Sequence, residues 1–154
     1  MTDFAFDQMN TRARSDEGVW MTIKTLDRRE DLTGPDGRAL QLLIHGPDSA
    51  RYRDAMRKAV RERLVEEGGK EPTDEELRTI NAAFMASVVS DWRMMGVGDK
   101  ADLGGGPMLD KEGGAVPYSI ETATAFFLIY DDIYDQVDAF VARRANFSLA
   151  SSGN

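Results

Sequence analysis

The chain has 154 residues, a net charge of −8 and no cysteine. That length fits one domain able to bury about two thirds of its unfolded surface, while the missing cysteines exclude disulfides and thiolate chemistry, and the acidic balance opposes nucleic acid and anionic membranes. With 42% hydrophobic and 30% charged residues and no run near the ~18 apolar residues of a membrane span, an ordinary globular domain is expected.

From the N-terminus, Met1 to Asp16 scatter Phe4, Phe6 and Met9 among Asp, Asn, Thr and Arg with no helix or strand period. Residues 1–16 are expected to form a flexible arm, with Phe4 and Phe6 available to anchor it on a partner or a neighbouring subunit. Residues 17–147 then form a single domain, and Ser148 to Asn154 a disordered tail.

Val19, Met21 and Ile23 alternate with Trp20, Thr22 and Lys24, the period of a half-buried strand. Leu40, Leu42 and Ile44 repeat the pattern. Between the two runs, Gly34-Pro35-Asp36-Gly37 is a turn signal, because Pro presets one dihedral and Gly permits a positive one. These runs predict a two-stranded antiparallel unit, which must pack on helices because a lone strand pair is marginal.

Helices account for most of the rest. Asp48 or Ser49 caps a helix to about Glu67, with Tyr52, Met56, Ala59, Val60 and Leu64 on one stripe and Gly68-Gly69 as its stop. Thr73-Asp74-Glu75-Glu76 is a capping box that opens a second helix, whose stripe runs Leu77, Ile80, Phe84, Val88, Trp92, Met95 and ends near Gly96. Half of the chain's 14 glycines fall between Gly96 and Val116. No period runs through that stretch, and Gly98 to Gly114 is expected to be a mobile insertion. Ser119 caps a third helix, and Asp131 or Asp132 starts a fourth with Ile133, Val137, Phe140 and Val141 on its apolar edge. The expected fold class is α+β, mainly α: a two-stranded antiparallel unit followed by about four helices.

None of the reactive side chains forms a convincing site. Asp131, Asp132, Asp135 and Asp138 suggest a cation, but acidic residues at a helix start also favour the helix dipole and otherwise make a solvated face. Asp99 to Asp110 lacks the alternating oxygens of a calcium loop, and Gly104-Gly105-Gly106 lacks the Lys-Ser/Thr of a phosphate loop. His45, the only histidine, reads as a strand-end residue with a backbone partner. No catalytic, cofactor or metal residue is assigned, and the chain reads as a binding protein rather than an enzyme. Trp20, Trp92 and Phe140 are expected in the core. The stretch Phe126-Phe127-Leu128-Ile129 is apolar nearly all round, more than one core-facing stripe needs. Phe126, Phe127, Ile129, Tyr130 and Tyr134 are therefore the candidate partner-binding residues, for another protein or for a second copy of the chain.

The order of landmarks carries a resemblance. Asp91-Trp92 leads to Val116-Pro117-Tyr118-Ser119, then Asp135-Gln136-Val137-Asp138-Ala139-Phe140 and Arg144-Ala145-Asn146-Phe147, preceded by Glu17-Gly18-Val19-Trp20 and the run from Gly46 to Arg53. This series, spanning Glu17 to Phe147, resembles the small tail assembly chaperones of long-tailed phages. The resemblance implies a protein that coats the aggregation-prone tape measure protein in the cytoplasm of the infected bacterial host and is released as tail tube subunits polymerise. It implies architectural roles at the matching positions: Trp92 and Phe140 in the core, Ser119 as a cap, Asn146 and Phe147 pinning the last helix, with Pro117, Gln136 and Val137 completing the pattern. The Gly98 to Gly114 stretch departs from that pattern, which joins the same landmarks by a short linker. The alternative reading is a structural tail adaptor or minor tail protein retained in the virion; a third is a metal-dependent enzyme acting through the Asp cluster.

Overall fold

The computed structural model describes residues 2, 4–64 and 69–149. Its architecture follows from one strand, β2 (Ala39–Ile44), in which only Leu43 escapes burial. A strand covered on both faces has two edges of backbone amides and carbonyls, and buried groups of that kind need partners. On one edge lies β1 (Val19–Thr22), antiparallel, with Met21 opposite Leu42. On the other lies β3 (Val89–Met95), also antiparallel, with Trp92 opposite Leu42 and Met94 opposite Leu40. β4 (Gly105–Gly106) pairs with the end of β3, completing a sheet in the order β1-β2-β3-β4.

The expected two-stranded unit with about four helices is thus corrected to a four-stranded antiparallel sheet with five α-helices and three short 3-10 turns among the described residues. The second expected helix overran its true end. α3 (Asp74–Val88) carries the capping box on Thr73 and Glu76 but gives way at once to β3. The i, i+4, i+7 spacing of Val88, Trp92 and Met95 also fits a strand that buries Trp92 and Met94 and exposes Asp91. The open edge of β2 decides between the two, and β-branched Val88 and Val89 sit at the junction, where they favour extended chain.

α2 (Ala50–Arg63) starts at Ser49, whose hydroxyl accepts from the Tyr52 amide at 3.0 Å. It buries Ala55 and Ala59, whereas the expected stripe residues Val60 and Leu64 are 45% and 67% exposed. Its expected stop at Gly68 lies outside the described residues. α4 (Ile120–Ile129) and α5 (Asp131–Ala142) meet at Tyr130, and α3 packs on both α2 and α4. The core joins Leu40, Leu42, Ile44, Trp92 and Met94 of the sheet to Met85, Ala86, Phe126, Phe127, Ile133 and Val137 of the helices. On the opposite face of the sheet, Arg93 donates to Gln41 at 2.8 Å and lies 3.9 Å over the Trp20 ring. Trp20 is half-buried there, outside the main core where it was expected.

Two segments expected to lack structure are folded. Part of the N-terminal arm forms α1 (Arg12–Glu17), held by a Thr11–Asp48 hydrogen bond and by the Gly46 amide on Ser15 O at 3.3 Å. The glycine-rich insertion builds a 3-10 turn at Gly98–Leu103, β4, and a turn in which Asp110 Oδ1 accepts from the Glu112 and Gly114 amides at 2.9 and 2.8 Å. Gly113, at φ +85°, supplies a left-handed backbone that a side chain would strain. Of the expected tail, Ser148 and Leu149 are tied to Gln8 and Asn10 by hydrogen bonds of 2.7 and 3.3 Å; residues 150–154 lie outside the described residues.

Candidate functional site

A groove of about 870 Å³ opens between the Leu40–Met94 end of the sheet and α4. Leu40, Trp92 and Met94 form its floor with Phe126 of α4, and Ile129, Tyr130 and Ile133 continue it along the junction with α5. Its two remaining walls are the connection between β1 and β2, through Leu26 and Leu32, and the turn from Met108 to Val116. At the rim Leu26, Ile129 and Tyr130 are 80%, 68% and 48% exposed.

Specific polar contacts hold both walls. Gln136, buried on α5, donates to Lys24 O and accepts from the Lys24 amide, each at 2.9 Å. Its amide also donates to Asp132, whose carboxylate accepts two bonds from Arg28 at 2.8 and 2.9 Å. These bonds hold the Asp132 carboxyl below the usual carboxylate range, the Arg28 contact contributing most. Arg28 itself has φ +64°, a left-handed conformation unusual for a residue with a side chain. The chain is thereby bent so that Leu26 stands at the rim. On the other side Trp92 Nε1 donates to Val116 O at 2.7 Å, and the Val116 amide donates to Met108 O at 2.7 Å.

The five residues expected to bind a partner are divided by this arrangement. Phe126, Ile129 and Tyr130 line the groove. Phe127 is buried on the other side of α4, and half-buried Tyr134 joins it at a smaller hollow of about 200 Å³ with Arg78 and Asn81. Phe126 contributes its ring to the floor rather than an exposed face, being 8% exposed. The sequence reading missed Leu26, Leu32, Leu40, Met94, Met108 and Val116. A signal existed only for Leu26, the one apolar residue among the charges of Lys24 to Asp31.

The architectural positions fall as follows. Ser119 accepts from the Thr122 amide at 3.1 Å and so caps α4. Asn146 donates to Phe140 O at 2.9 Å, and Phe147, fully buried, meets the half-buried Phe140 edge-on at 5.6 Å. Val137 is fully buried, and Pro117 is exposed. Trp92 is a core residue on a strand, not on a helix.

The titratable groups have structural partners. His45 Nδ1 lies 3.1 and 3.0 Å from Ser15 O and Asp16 O, and Nε2 lies 2.7 Å from Ser90 Oγ, so a neutral ring donates on one side and accepts on the other. Burial lowers its pKa. Asp131 pairs with Arg78 at 3.1 Å and Asp132 with Arg28. Among the described residues no three His, Cys, Asp or Glu side chains come together as a metal site. Burial pushes the Tyr118 hydroxyl up, and that hydroxyl bonds Ala86 O and Val89 O across the α3–β3 junction. The groove thus offers apolar surface framed by charge, a chemistry suited to covering apolar side chains of another segment.

A family model described as YdaY prophage protein matches residues 47–152, from the start of α2 through the last 3-10 turn and beyond. The chain belongs to the YdaY prophage protein family. It is a phage-derived protein, and the match takes in α4, α5 and the Met108–Val116 wall of the groove. No curated protein and no solved structure matches the chain.

Proposed function

We propose that this prophage protein is a tail assembly chaperone whose groove holds apolar helical stretches of the tape measure protein until the tail tube replaces it. The observation that carries the reading is the groove itself: about 870 Å³ of space floored by Trp92, Met94 and Phe126, with Leu26, Ile129 and Tyr130 exposed at its rim. An amphipathic helix presents anchors at i, i+3, i+4 and i+7, which such a groove accepts. The net charge of −8 keeps a complex with an apolar client dispersed.

Magnitudes favour holding over permanent attachment. Burying an exposed aliphatic side chain contributes roughly 1.5–3 kcal/mol. A few such residues on each side only modestly exceed an association cost of about 4–15 kcal/mol. Binding at one groove is therefore reversible, as a client that must later enter the tube requires, and several copies along one client would add avidity.

The test is co-expression with the tape measure protein of the same phage. Wild-type chain keeps the client in the supernatant and is missing from purified particles. A Leu26→Asp/Ile129→Asp variant, folded to the same melting temperature, leaves the client in the pellet. A variant that still solubilises the client, or wild-type chain retained in finished particles, contradicts the proposal.

A further inference from the structure

We infer that the N-terminal arm of one copy docks in the groove of a second copy, so that two chains exchange arms in the absence of a client. The inference rests on the reading of the groove as a docking surface and adds its first occupant. Phe4, Phe6 and Met9 are 77%, 66% and 75% exposed, and they cluster within six residues of sequence. The described residues thus include both an apolar groove that none of them fills and an unburied apolar segment.

The Leu40 end of its own groove is out of reach of its own arm. Gln8 is tied to Ser148, Asn10 to Leu149 and Thr11 to Asp48, which roots the arm near Gly46, beyond the Ile44 end of β2. The groove lies at the other end: Leu42 stands opposite Trp92 and Leu40 opposite Met94. At ~3.4 Å per residue, Gly46 is roughly 14 Å from Leu42 along the strand and roughly 20 Å from Leu40. Phe6, two residues from the tied Gln8, can extend only about 7 Å and Phe4, four residues away, about 14 Å, so both stop short of the Leu40 end. A neighbouring molecule has no such restriction.

Charge in the groove is balanced: Asp131, Asp132 and Lys24 are paired with Arg78, Arg28 and Asp31, and Lys111 adjoins Asp110 in the same lining. Apolar area is therefore what selects the occupant. Area sets the stoichiometry. An aromatic side chain buries roughly 150–250 Å², so one arm with its matching groove surface falls short of the ~1,200–2,000 Å² of a stable interface. Two reciprocal contacts bring an exchanged pair into that range, and a closed two-fold pair uses both.

Sedimentation velocity over a concentration series tests this on the full chain. Wild type forms a reversible dimer. Phe4→Ser/Phe6→Ser removes the arm contact, Leu26→Asp/Ile129→Asp removes the groove contact, and each variant alone is monomeric with an unchanged melting temperature. Mixed, the two regain only one contact, which falls short of a stable interface, and they stay monomeric at concentrations where wild type is dimeric. A monomeric wild type, or a dimer of wild-type strength in either variant or in the mixture, overturns the inference. Client solubilisation separates it from the chaperone reading: the arm variant keeps the client soluble, because its groove is intact. Loss of client binding in the groove variant alone supports the groove as the client's site whatever the dimer does.

Discussion

The two ends of β2 are built on opposite terms. At the Ile44 end, α1 and the last 3-10 turn close the core: Phe147 is fully buried, and a Cβ on Gly46 would lie 2.2 Å from Ser15 Oγ and 2.8 Å from Phe147. His45 fills the same corner with both ring nitrogens bonded. At the Leu40 end, polar latches hold two walls apart over an apolar floor, and none of the described residues fills the space. One end spends its contacts on stability and the other keeps apolar surface open. A change at the closed end should therefore unfold the protein, and a change at the rim of the open end should leave it folded and unable to bind.

Phe147→Ala should have the largest effect, costing roughly 3–5 kcal/mol by chemical denaturation, since removing a buried ring loses transfer energy and leaves a cavity. Against a usual stability of about 5–15 kcal/mol, that exposes an appreciable unfolded fraction. Gly46→Ala adds a methyl where Ser15 and Phe147 already sit, and should cost about 1–3 kcal/mol through overpacking. At the open end, Trp92→Phe keeps an aromatic floor but leaves Val116 O without its 2.7 Å donor. A loss of roughly 1–2 kcal/mol is expected, with faster amide exchange at Val116 than in wild type. Ile129→Asp, at 68% exposure, should change stability by no more than about 0.5 kcal/mol while abolishing client solubilisation. If it instead unfolds the protein, the two ends do not differ as described.

The smallest expected effect is a pH dependence at the closed end. Burial depresses the His45 pKa, so the folded state holds the neutral ring while the unfolded chain protonates near the ordinary value of 6.5. The associated stability is complete above that value and is lost as pH falls toward the folded pKa. Denaturation midpoints should decline from pH 7 to pH 5 in wild type, and the decline should be shallower in His45→Gln. Parallel declines would remove His45 from the account of that corner.

How much of this was legible in the sequence follows the range of the forces involved. Ser49, the Thr73–Glu76 box, Ser119 and the Gly34–Gly37 turn act within a few residues, and the chain shows each of them directly. β3 was not legible, because Val88 to Met95 satisfies a helical and an extended period equally; a strand buried on both faces, some fifty residues away, decides the matter. The groove was half visible. Its α4 side is announced by an apolar stretch wider than one stripe, whereas its other walls come from segments without a period, fixed by Gln136, Asp132 and the Trp92 indole. Nor does the sequence separate Phe126 from Phe127, adjacent residues that face the groove and the opposite side of α4.

Site-specific photo-crosslinking tests the central claim most directly. With a photoreactive phenylalanine analogue at Ile129, in the groove, or at Tyr134, on the far side of α4, the chain is co-expressed with the tape measure protein and irradiated. The account predicts a crosslink to the client from position 129 and none from position 134. A client captured from position 134 and not from 129 would contradict it and move the binding surface to the other side of the helix.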